Sequence, residues 1–260
     1  MGKLKIGVRV ASFKVGLVES IQRAVECGVD AIEPSARGEL APENISQSGR
    51  RDFLHKTTFK GLVISALSGN LGRPHFVSKE GLEERIERSK RILDLSMDLK
   101  AGIVCTHIGH IPEDQNAPEW DTLLDSLGDI GSHAEKLGAF FVCETGPESP
   151  ELMKTFLEKL NRPHIGINYD PANLVMRGFE PIPGVYTLAE YIIHTHVKDA
   201  MGKEKGGPKE VPVGQGQVNF PEYIKALDEV GFSGFYSIER EGGEDRVGDV
   251  RRAVEFLRKF

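Results

Sequence analysis

The sequence predicts an α/β fold, a TIM (β/α)8 barrel that occupies residues 1–260 as a single domain. Eight short apolar runs have strand character, and helix-length segments separate nearly all of them. Several of these segments end in a glycine directly before the next run, which is the usual connection into a parallel strand. Eight such units in 260 residues match the size of one barrel.

The predicted strands are short runs of apolar residues, most of which end in a polar residue. In chain order they cover residues 5–10, 29–33, 62–67, 103–107, 140–144, 165–170, 192–196 and 235–239. A doubly wound sheet is the alternative arrangement of such units. Because no GxGxxG motif follows the first run, that alternative lacks its usual phosphate-binding turn.

The predicted helices show apolar periodicity or a capping signal. An apolar stripe over residues 79–100 has helical spacing, and a second stripe over 247–257 indicates a docked C-terminal helix. Ser149 before a proline is a helix start. Asn219 and Glu222 resemble a capping box.

The composition is that of a folded globular protein, with 39% hydrophobic and 28% charged residues. The net charge of −6 argues against binding to nucleic acid or to an anionic membrane. Cys27, Cys105 and Cys143 form no CxxC pair and are expected to be buried thiols in a reducing compartment. We see no signal-peptide pattern and no apolar run of membrane-spanning length. We therefore expect a cytoplasmic protein.

Four polar residues, each at the end of one of the last four predicted strands, form the main candidate site. They are Glu144, Asp170, His196 and Glu239. Because the carboxyl ends of barrel strands meet at one mouth, we expect these side chains to converge there. Three carboxylates and one imidazole offer the ligands that Mn²⁺, Mg²⁺, Co²⁺ or Zn²⁺ bind. The alternative is that single carboxylates cap helices or pair with Arg and Lys across the mouth.

The alternation of side chains along a strand supports a polar cavity below these residues. In three of the four strands, the inward residue one layer lower is small or polar. Those inner residues are Asn168, His194 and Ser237. Such residues suit a cavity better than a filled apolar core.

Several segments together resemble one known family. They are THIGHIPE (106–113), CETG (143–146), YDPAN (169–173), HTHVKD (194–199), VGQGQVNFP (213–221) and GFSGFYSIE (231–239). In their order and spacing the chain resembles the xylose-isomerase-like TIM-barrel superfamily of sugar phosphate isomerases and epimerases, over nearly its whole length. Within it, the chain is similar to ketose 3-epimerases.

The resemblance implies a metal-dependent enzyme, an isomerase of carbohydrate metabolism. Glu144, Asp170, His196 and Glu239 would hold a divalent ion, with Mn²⁺ as the ion expected first. Glu144 and Glu239 would also be catalytic, one removing the C3 proton of a ketose and the other returning a proton to the opposite face. The expected reaction is 3-epimerisation of a ketose or related keto-polyol through an enediolate. The family further implies a homodimer or homotetramer.

Other reactions and other classes remain open. Return of the proton to a neighbouring carbon gives aldose–ketose isomerisation, and loss of a β-hydroxyl makes the protein a dehydratase of a keto-cyclitol or dehydroshikimate-like substrate. An apurinic endonuclease of the same superfamily needs more His and Asp ligands, and its DNA substrate does not suit an acidic chain. A barrel that binds a sugar without catalysis is the alternative outside enzymes.

Four more residues near strand ends are expected to contact the substrate. They are His107, Asn173, Lys198 and Glu33. His107 has the alternative of a hydrogen-bonded core histidine, and Asn173 that of a turn cap. Lys198 has the alternative of a salt bridge to Asp199 or Glu241. Glu33 shares the inward parity of its strand and is expected to line the mouth.

Two positions depart from the ketose 3-epimerase pattern and leave the substrate open. Asn173 stands where those enzymes have a histidine, and Gly202 stands near the place of an arginine. The Lys- and Gly-rich segment 202–210 is expected to be a flexible loop over the mouth, with an idle solvated loop as the alternative. Glu148, directly before Ser149, is expected to cap a helix rather than to take part in acid–base chemistry.

Overall fold

The predicted third strand of the barrel is two short strands, which stand at the two ends of the sheet order. The structure, a computed structural model, describes residues 3–260. Its strands are β1 (Ile6–Arg9), β2 (Ala31–Glu33), β3 (Val63–Ile64), β4 (Leu67–Ser68), β5 (Ile103–Thr106), β6 (Phe140–Glu144), β7 (Ile165–Tyr169), β8 (Ile192–Val197), β9 (Asp199–Met201), β10 (Lys209–Val211) and β11 (Tyr236–Ile238). Nine of them form one parallel sheet in the order β3-β2-β1-β11-β8-β7-β6-β5-β4.

The sheet closes into the predicted TIM (β/α)8 barrel. β3 pairs with β2, whereas β4 pairs with β5, so the single strand predicted over residues 62–67 is two short strands. A parallel bridge between Ser35 and Ser68 connects the two edges of the sheet. The barrel includes the elements from β1 to the last helix, and Met1 and Gly2 of the predicted domain lie outside the described residues.

Nine α-helices of the described chain accompany the strands. They are α1 (Leu17–Cys27), α2 (Gln47–Phe59), α3 (Leu82–Asp98), α4 (Pro118–Leu137), α5 (Pro150–Leu160), α6 (Pro171–Arg177), α7 (Pro181–Thr187), α8 (Phe220–Glu229) and α9 (Arg246–Leu257). The predicted caps are confirmed, since the Ser149 side chain accepts from the Leu152 amide and the Asn219 side chain from the Glu222 amide. Gly138 ends α4 in the left-handed conformation, with φ 69°, and hands the chain to β6.

The barrel interior is apolar in one layer and polar in another. Ala66, Cys105 and Val142 form a small buried cluster, separate from the larger core, and Phe140 and Ile193 pack against it. Val142 and Phe140 share the strand parity of Glu144, so this face of β6 points into the barrel. A register shift between β7 and β8, where Ile167 pairs with Ile192 and Asn168 with His194, lets both Ile193 and His194 face inward.

The three cysteines are free and buried, as the sequence predicts. Burial raises the pKa of each thiol above its ordinary value, so none is a reactive thiolate at neutral pH. No helix within residues 3–260 is long and apolar enough to cross a membrane.

Candidate metal centre

The structure brings the four predicted ligand residues together at the carboxyl ends of β6, β7, β8 and β11. Glu144, Asp170, His196 and Glu239 each offer one ligand atom, and these atoms all lie within 4.8 Å of one another. All four side chains are buried. Opposite ligands of a divalent ion stand about 4 Å apart, twice a metal–ligand bond of about 2.0–2.2 Å. A small contraction of the cluster would therefore let one ion bind all four.

Asp170 caps helix α6 with one carboxylate oxygen, and its other oxygen has no hydrogen-bond partner among the described residues. Its Oδ1 atom accepts hydrogen bonds from the amides of Ala172, at 2.9 Å, and Asn173, at 3.0 Å, at the start of α6. Its Oδ2 atom is fully buried and has no hydrogen-bond partner. The capping alternative considered from sequence therefore accounts for one oxygen only. A buried carboxylate oxygen without a partner is costly unless a cation meets it, so this geometry fits a metal ligand.

His196 presents its two ring nitrogens to different neighbours. Nδ1 faces the centre, 3.7 Å from Glu144 Oε1 and 3.4 Å from Glu239 Oε2. Nε2 lies 3.2 Å from Glu33 Oε2. A metal-binding imidazole commonly has a carboxylate behind it in this way, because that carboxylate fixes the tautomer and the ring orientation.

Glu33 is fully buried beneath the centre, and this position differs from the mouth-lining one that the sequence predicts. Its Oε2 atom lies 3.2 Å from His194 Nε2, and it accepts a hydrogen bond of 3.0 Å from Ser237 Oγ. The strand parity predicts the inward direction of this side chain but not its depth. Glu33 therefore contacts His196 from below and is not part of the cavity wall.

Glu144 is held from two sides at the floor of the cavity. Asn173 Nδ2 donates to Glu144 Oε1 at 2.9 Å and also to the carbonyl of Thr145 at 3.1 Å. His107 Nε2 lies 3.5 Å from Glu144 Oε2, and the His107 side chain remains partly exposed. Both residues line the cavity, so both can contact a substrate as predicted, while Asn173 also positions Glu144.

Glu239 is surrounded by cations. Lys198 Nζ donates to Glu239 Oε2 at 3.0 Å and to Glu241 Oε2 at 2.7 Å, and it lies 3.8 Å from Asp170 Oδ2. The guanidinium of Arg9 pairs with Glu239 from the end of β1. Of the two salt bridges considered for Lys198 from sequence, the structure forms the one to Glu241. Lys198 is buried between these carboxylates and is not part of the cavity lining.

The pKa values of Asp170 and His196 are both raised, so these two residues hold their protons more tightly than free side chains do. Burial raises the pKa of Asp170 to about 6, although Lys198 opposes this. Burial lowers the pKa of His196, but Glu33 and Glu144 outweigh it and raise the pKa to about 10. The imidazole therefore holds a proton at neutral pH when no other cation is near. A divalent ion would supply the same compensation in place of that proton.

A cavity of about 790 Å³ opens above the centre. Glu144 and Asn173 form part of its wall, and Lys203 and Pro208 reach it from the segment 202–210. That segment is not a plain loop, because β9 and β10 pair as an antiparallel hairpin around it. The segment reaches the mouth as predicted, and most of it forms the connection of this hairpin, with a short 3-10 turn over Lys203–Lys205.

The sequence interpretation missed Arg9, which contacts Glu239. A usable signal was present, because Gly7 and Arg9 alternate with Ile6 and Val8 in the first strand. A Cβ atom on Gly7 would lie 3.5 Å from Ser65 and Ser237, so this parity faces the polar interior. Glu148 is not the predicted cap of α5, since Ser149 holds that position.

Fold and site together define a (β/α)8-barrel protein with a carboxylate–imidazole site at its mouth. The family model of the xylose isomerase-like TIM barrel matches residues 21–260. The chain belongs to that family, as the resemblance predicted.

Individual relatives differ in what they do. Inosose dehydratase 1 of Bacillus cereus is 26% identical over 220 residues, which cover 71% of this chain and 72% of that protein. An uncharacterized protein of Methanocaldococcus jannaschii is 24% identical over 269 residues, or 98% of this chain and 89% of its own. A solved xylose isomerase domain protein from Planctomyces limnophilus has a TM-score of 0.85 at 28% identity, covering 99% of this chain and 98% of that one. A D-tagatose 3-epimerase-like structure has a TM-score of 0.81 at 22% identity, over 98% and 97% of the two chains, and this likeness concerns the fold.

Proposed function

We propose that the protein is a divalent-metal-dependent enzyme that exchanges a proton on the carbon next to the carbonyl of a ketose or related keto-polyol. The observation that carries this proposal is the buried cluster of Glu144, Asp170, His196 and Glu239, with ligand atoms within 4.8 Å of one another. A divalent ion bound there would polarise a carbonyl and an adjacent hydroxyl oxygen and so acidify the C–H bond between them. The expected outcome is 3-epimerisation through an enediolate, with Mn²⁺ as the first ion to test.

The positions of the two glutamates support proton transfer on different sides of the substrate. Glu144 lies on β6 and Glu239 directly follows β11, and the barrel order β11-β8-β7-β6 sets these strands three positions apart. Asn173 fixes Glu144, and Lys198 fixes Glu239. A carboxylate held on one side of the substrate can remove the proton while the other returns one to the opposite face.

Dehydration is the second candidate, and one observation favours it. The relative from Bacillus cereus that covers 71% of this chain is named an inosose dehydratase. The same proton removal next to the carbonyl would then lead to departure of the β-hydroxyl, which takes up a proton and leaves as water. The two reactions therefore share the proton removal and differ only in the fate of the enediolate.

The test is a screen of ketoses and keto-cyclitols with the Mn²⁺-loaded protein in D₂O, read by NMR and mass spectrometry. Deuterium at one stereocentre with inversion supports the epimerase, and deuterium at a neighbouring carbon supports an aldose–ketose isomerase. Loss of the mass of water supports the dehydratase. No deuterium uptake and no water loss with any compound contradicts the proposal.

Variants of the two glutamates test whether each one acts as the base for one epimer. With E144Q and E239Q we expect inversion to be lost, while each variant still exchanges the proton of one epimer, because one base remains. The matched control is E255Q, which replaces an exposed glutamate of α9. Metal content, measured by mass spectrometry of each purified variant, shows whether a loss of activity is a loss of the ion.

A further inference from the structure

The mouth of the barrel carries positive charge that the metal centre does not use. The basic side chains in the wall of the 790 Å³ cavity are Arg73, His75, His107, His110, Arg177 and Lys203. The one acidic residue in that wall is Glu144, which belongs to the metal centre. With histidine counted as neutral, the wall holds three permanent cations and one carboxylate, in contrast to the net charge of −6 of the whole chain. A cavity wall of this kind is complementary to an anion.

The three permanent cations of the wall have no carboxylate partner among the described residues. Arg73, Arg177 and Lys203 form no ion pair or side-chain hydrogen bond there, whereas other arginines are paired, such as Arg50 with Asp98 at 2.7 Å. Arg177 does influence the buried Glu148 and lowers its pKa, but burial outweighs this and raises that pKa to about 7. Glu148 therefore neutralises Arg177 only in part.

The three cations reach the cavity from separate parts of the chain. Arg73 follows β4, Arg177 ends α6, and Lys203 lies in the β9–β10 hairpin. A basic residue at the end of α6 has an ordinary explanation, because cations favour helix C-termini. That explanation does not apply to Arg73 or Lys203. Their convergence on one cavity is better explained by a common ligand.

The imidazole of His75 lies in the same cavity wall as these cations. His75 has its pKa lowered by burial first and then by the charges of His107 and Arg73. Its ring lies 6.4 Å from that of His107. A neutral His75 can donate or accept a hydrogen bond from a bound ligand without adding another charge.

We propose that the substrate of this site carries an anionic group, a carboxylate or a phosphate, which Arg73, Arg177 and Lys203 bind in the cavity above the metal centre. This inference rests on the proposed function, which places the carbonyl end of the substrate at the centre. Guanidinium groups bind both kinds of anion through paired hydrogen bonds. A cavity of about 790 Å³ has room for a sugar-sized ligand with such a group.

The test compares three ligands with one carbon skeleton. D-fructose, D-fructuronate and D-fructose 6-phosphate carry a hydroxymethyl group, a carboxylate and a phosphate ester at C6. We expect at least one charged ligand to bind the Mn²⁺-loaded protein about tenfold or more tightly than D-fructose in calorimetric titrations, and which one binds tightest identifies the anion. Added salt should weaken this preference. Equal affinity for all three, or no measurable binding of any, overturns the inference.

Substitutions test whether the three cations cause the preference for a charged ligand. R73Q, R177Q and K203Q should each lower the affinity for the charged ligand by about two- to fivefold, because the residues are exposed. The affinities for Mn²⁺ and for D-fructose should not change. The matched control is R91Q, which removes an exposed arginine of α3 away from the cavity. An equal effect of R91Q, or no effect of the other three, contradicts the assignment.

Failure of this inference and failure of the proposed function give different results. If Mn²⁺ binds and deuterium exchange occurs without any preference for charge, the anion subsite alone is wrong. If the charged ligand is preferred but neither Mn²⁺ binding nor deuterium exchange is found, the proposed function is wrong and the anion subsite stands.

Discussion

The contact between Glu33 and His196 places one buried carboxylate behind the imidazole that we propose as a metal ligand. Glu33 Oε2 lies 3.2 Å from His196 Nε2, so the opposite ring nitrogen, Nδ1, is directed to the centre. We expect E33Q to lower the affinity for Mn²⁺ by about 10- to 100-fold, since the amide no longer fixes the imidazole tautomer. Competition with a fluorescent chelator measures this affinity.

S237A is the control for this prediction. Ser237 Oγ donates to the same Glu33 Oε2 at 3.0 Å, and among the described residues it makes no hydrogen bond to the His196 ring. Its removal should therefore change Mn²⁺ affinity much less than E33Q does. An unchanged affinity in E33Q, or equal losses in both variants, would show that Glu33 does not orient the ligand. NMR of the His196 ring nitrogens gives an independent reading of the tautomer.

Glu148 provides a pH-dependent test of stability. Burial raises its pKa from 4.5 to about 7, and His110 Nδ1 is 3.8 Å away. Because the folded state holds this proton more tightly, the stabilisation is complete below pH 4.5 and is lost as the pH rises through about 7. E148Q cannot ionise, so we expect it to be more stable than the wild type by about 1–3 kcal/mol at pH 8 and by less at pH 5.

Urea unfolding of E148Q, the wild type and the control E113Q at pH 5 and pH 8 checks this sign. Glu113 is exposed, so its replacement should leave the pH dependence of the unfolding free energy unchanged. If E148Q and the wild type differ by the same amount at both pH values, the raised pKa of Glu148 does not contribute to stability.

Some site residues could be identified from sequence, and others required the structure, for physical reasons. Glu144, Asp170, His196 and Glu239 close apolar runs, and the carboxyl ends of parallel barrel strands meet at one end of the barrel. The alternation along β2 predicts that Glu33 faces the barrel interior, but it does not give the distance of the side chain from the mouth. The position of Glu33 behind His196 therefore required the structure. The basic cavity wall comes from loops, and loops carry no period from which spatial neighbours can be inferred.

At the level of elements, the start of α6 combines a helix cap with a ligand, and two substitutions at Asp170 separate these roles. D170N keeps the cap, because Asn is as good an N-cap as Asp, and it removes the charge. Loss of a residue that only hydrogen-bonds a metal ligand lowers metal affinity by about 10- to 100-fold. Because Asp170 is a proposed ligand itself, we expect D170N to lower the Mn²⁺ affinity by more than this. Without metal, D170N should be at least as stable as the wild type, since burial raises the pKa of Asp170 to about 6.

D170A and S149A complete the comparison. D170A loses the cap as well and should be less stable than D170N by about 1 kcal/mol. S149A loses only the cap of α5, where Ser149 Oγ accepts from the Leu152 amide at 3.2 Å, and should keep its Mn²⁺ affinity. Thermal unfolding and metal titration of the three variants test both roles. Equal stability of D170A and D170N would show that the cap of α6 is unimportant.

The elements that the sequence did not predict correctly are those in which local backbone geometry departs from a regular period. The run over 62–67 reads as one strand, but its two ends pair with different neighbours, β2 and β5. The β9–β10 hairpin is short and rich in Lys and Gly, so it has no apolar alternation. Its order comes instead from Asp199, which accepts hydrogen bonds from the amides of Gly214 and Gly216.

On the scale of the whole molecule, the barrel was predictable because one βα unit recurs eight times, and eight such units account for nearly all of the 260 residues. Closure places the ends of β6, β7, β8 and β11 around one axis, although the residues they carry are far apart in sequence. The three carboxylates that closure brings together repel one another, and a bound divalent ion would offset this repulsion beyond what Lys198 and Arg9 supply. If the proposed ion binds there, its binding should stabilise the folded barrel, independently of any substrate.

Metal binding should accordingly raise the unfolding temperature of the whole barrel. An ion at about 100 times its Kd stabilises the folded state by about 2.7 kcal/mol, which for a chain of this size corresponds to an increase of about 5–10 °C. We expect Mn²⁺ to give this increase in the wild type and in E255Q, EDTA to reverse it, and D170N to show none. Parallel scans with Mg²⁺, Co²⁺ and Zn²⁺ identify the preferred ion. The prediction is contradicted if none of the four ions raises the unfolding temperature, or if D170N responds as the wild type does.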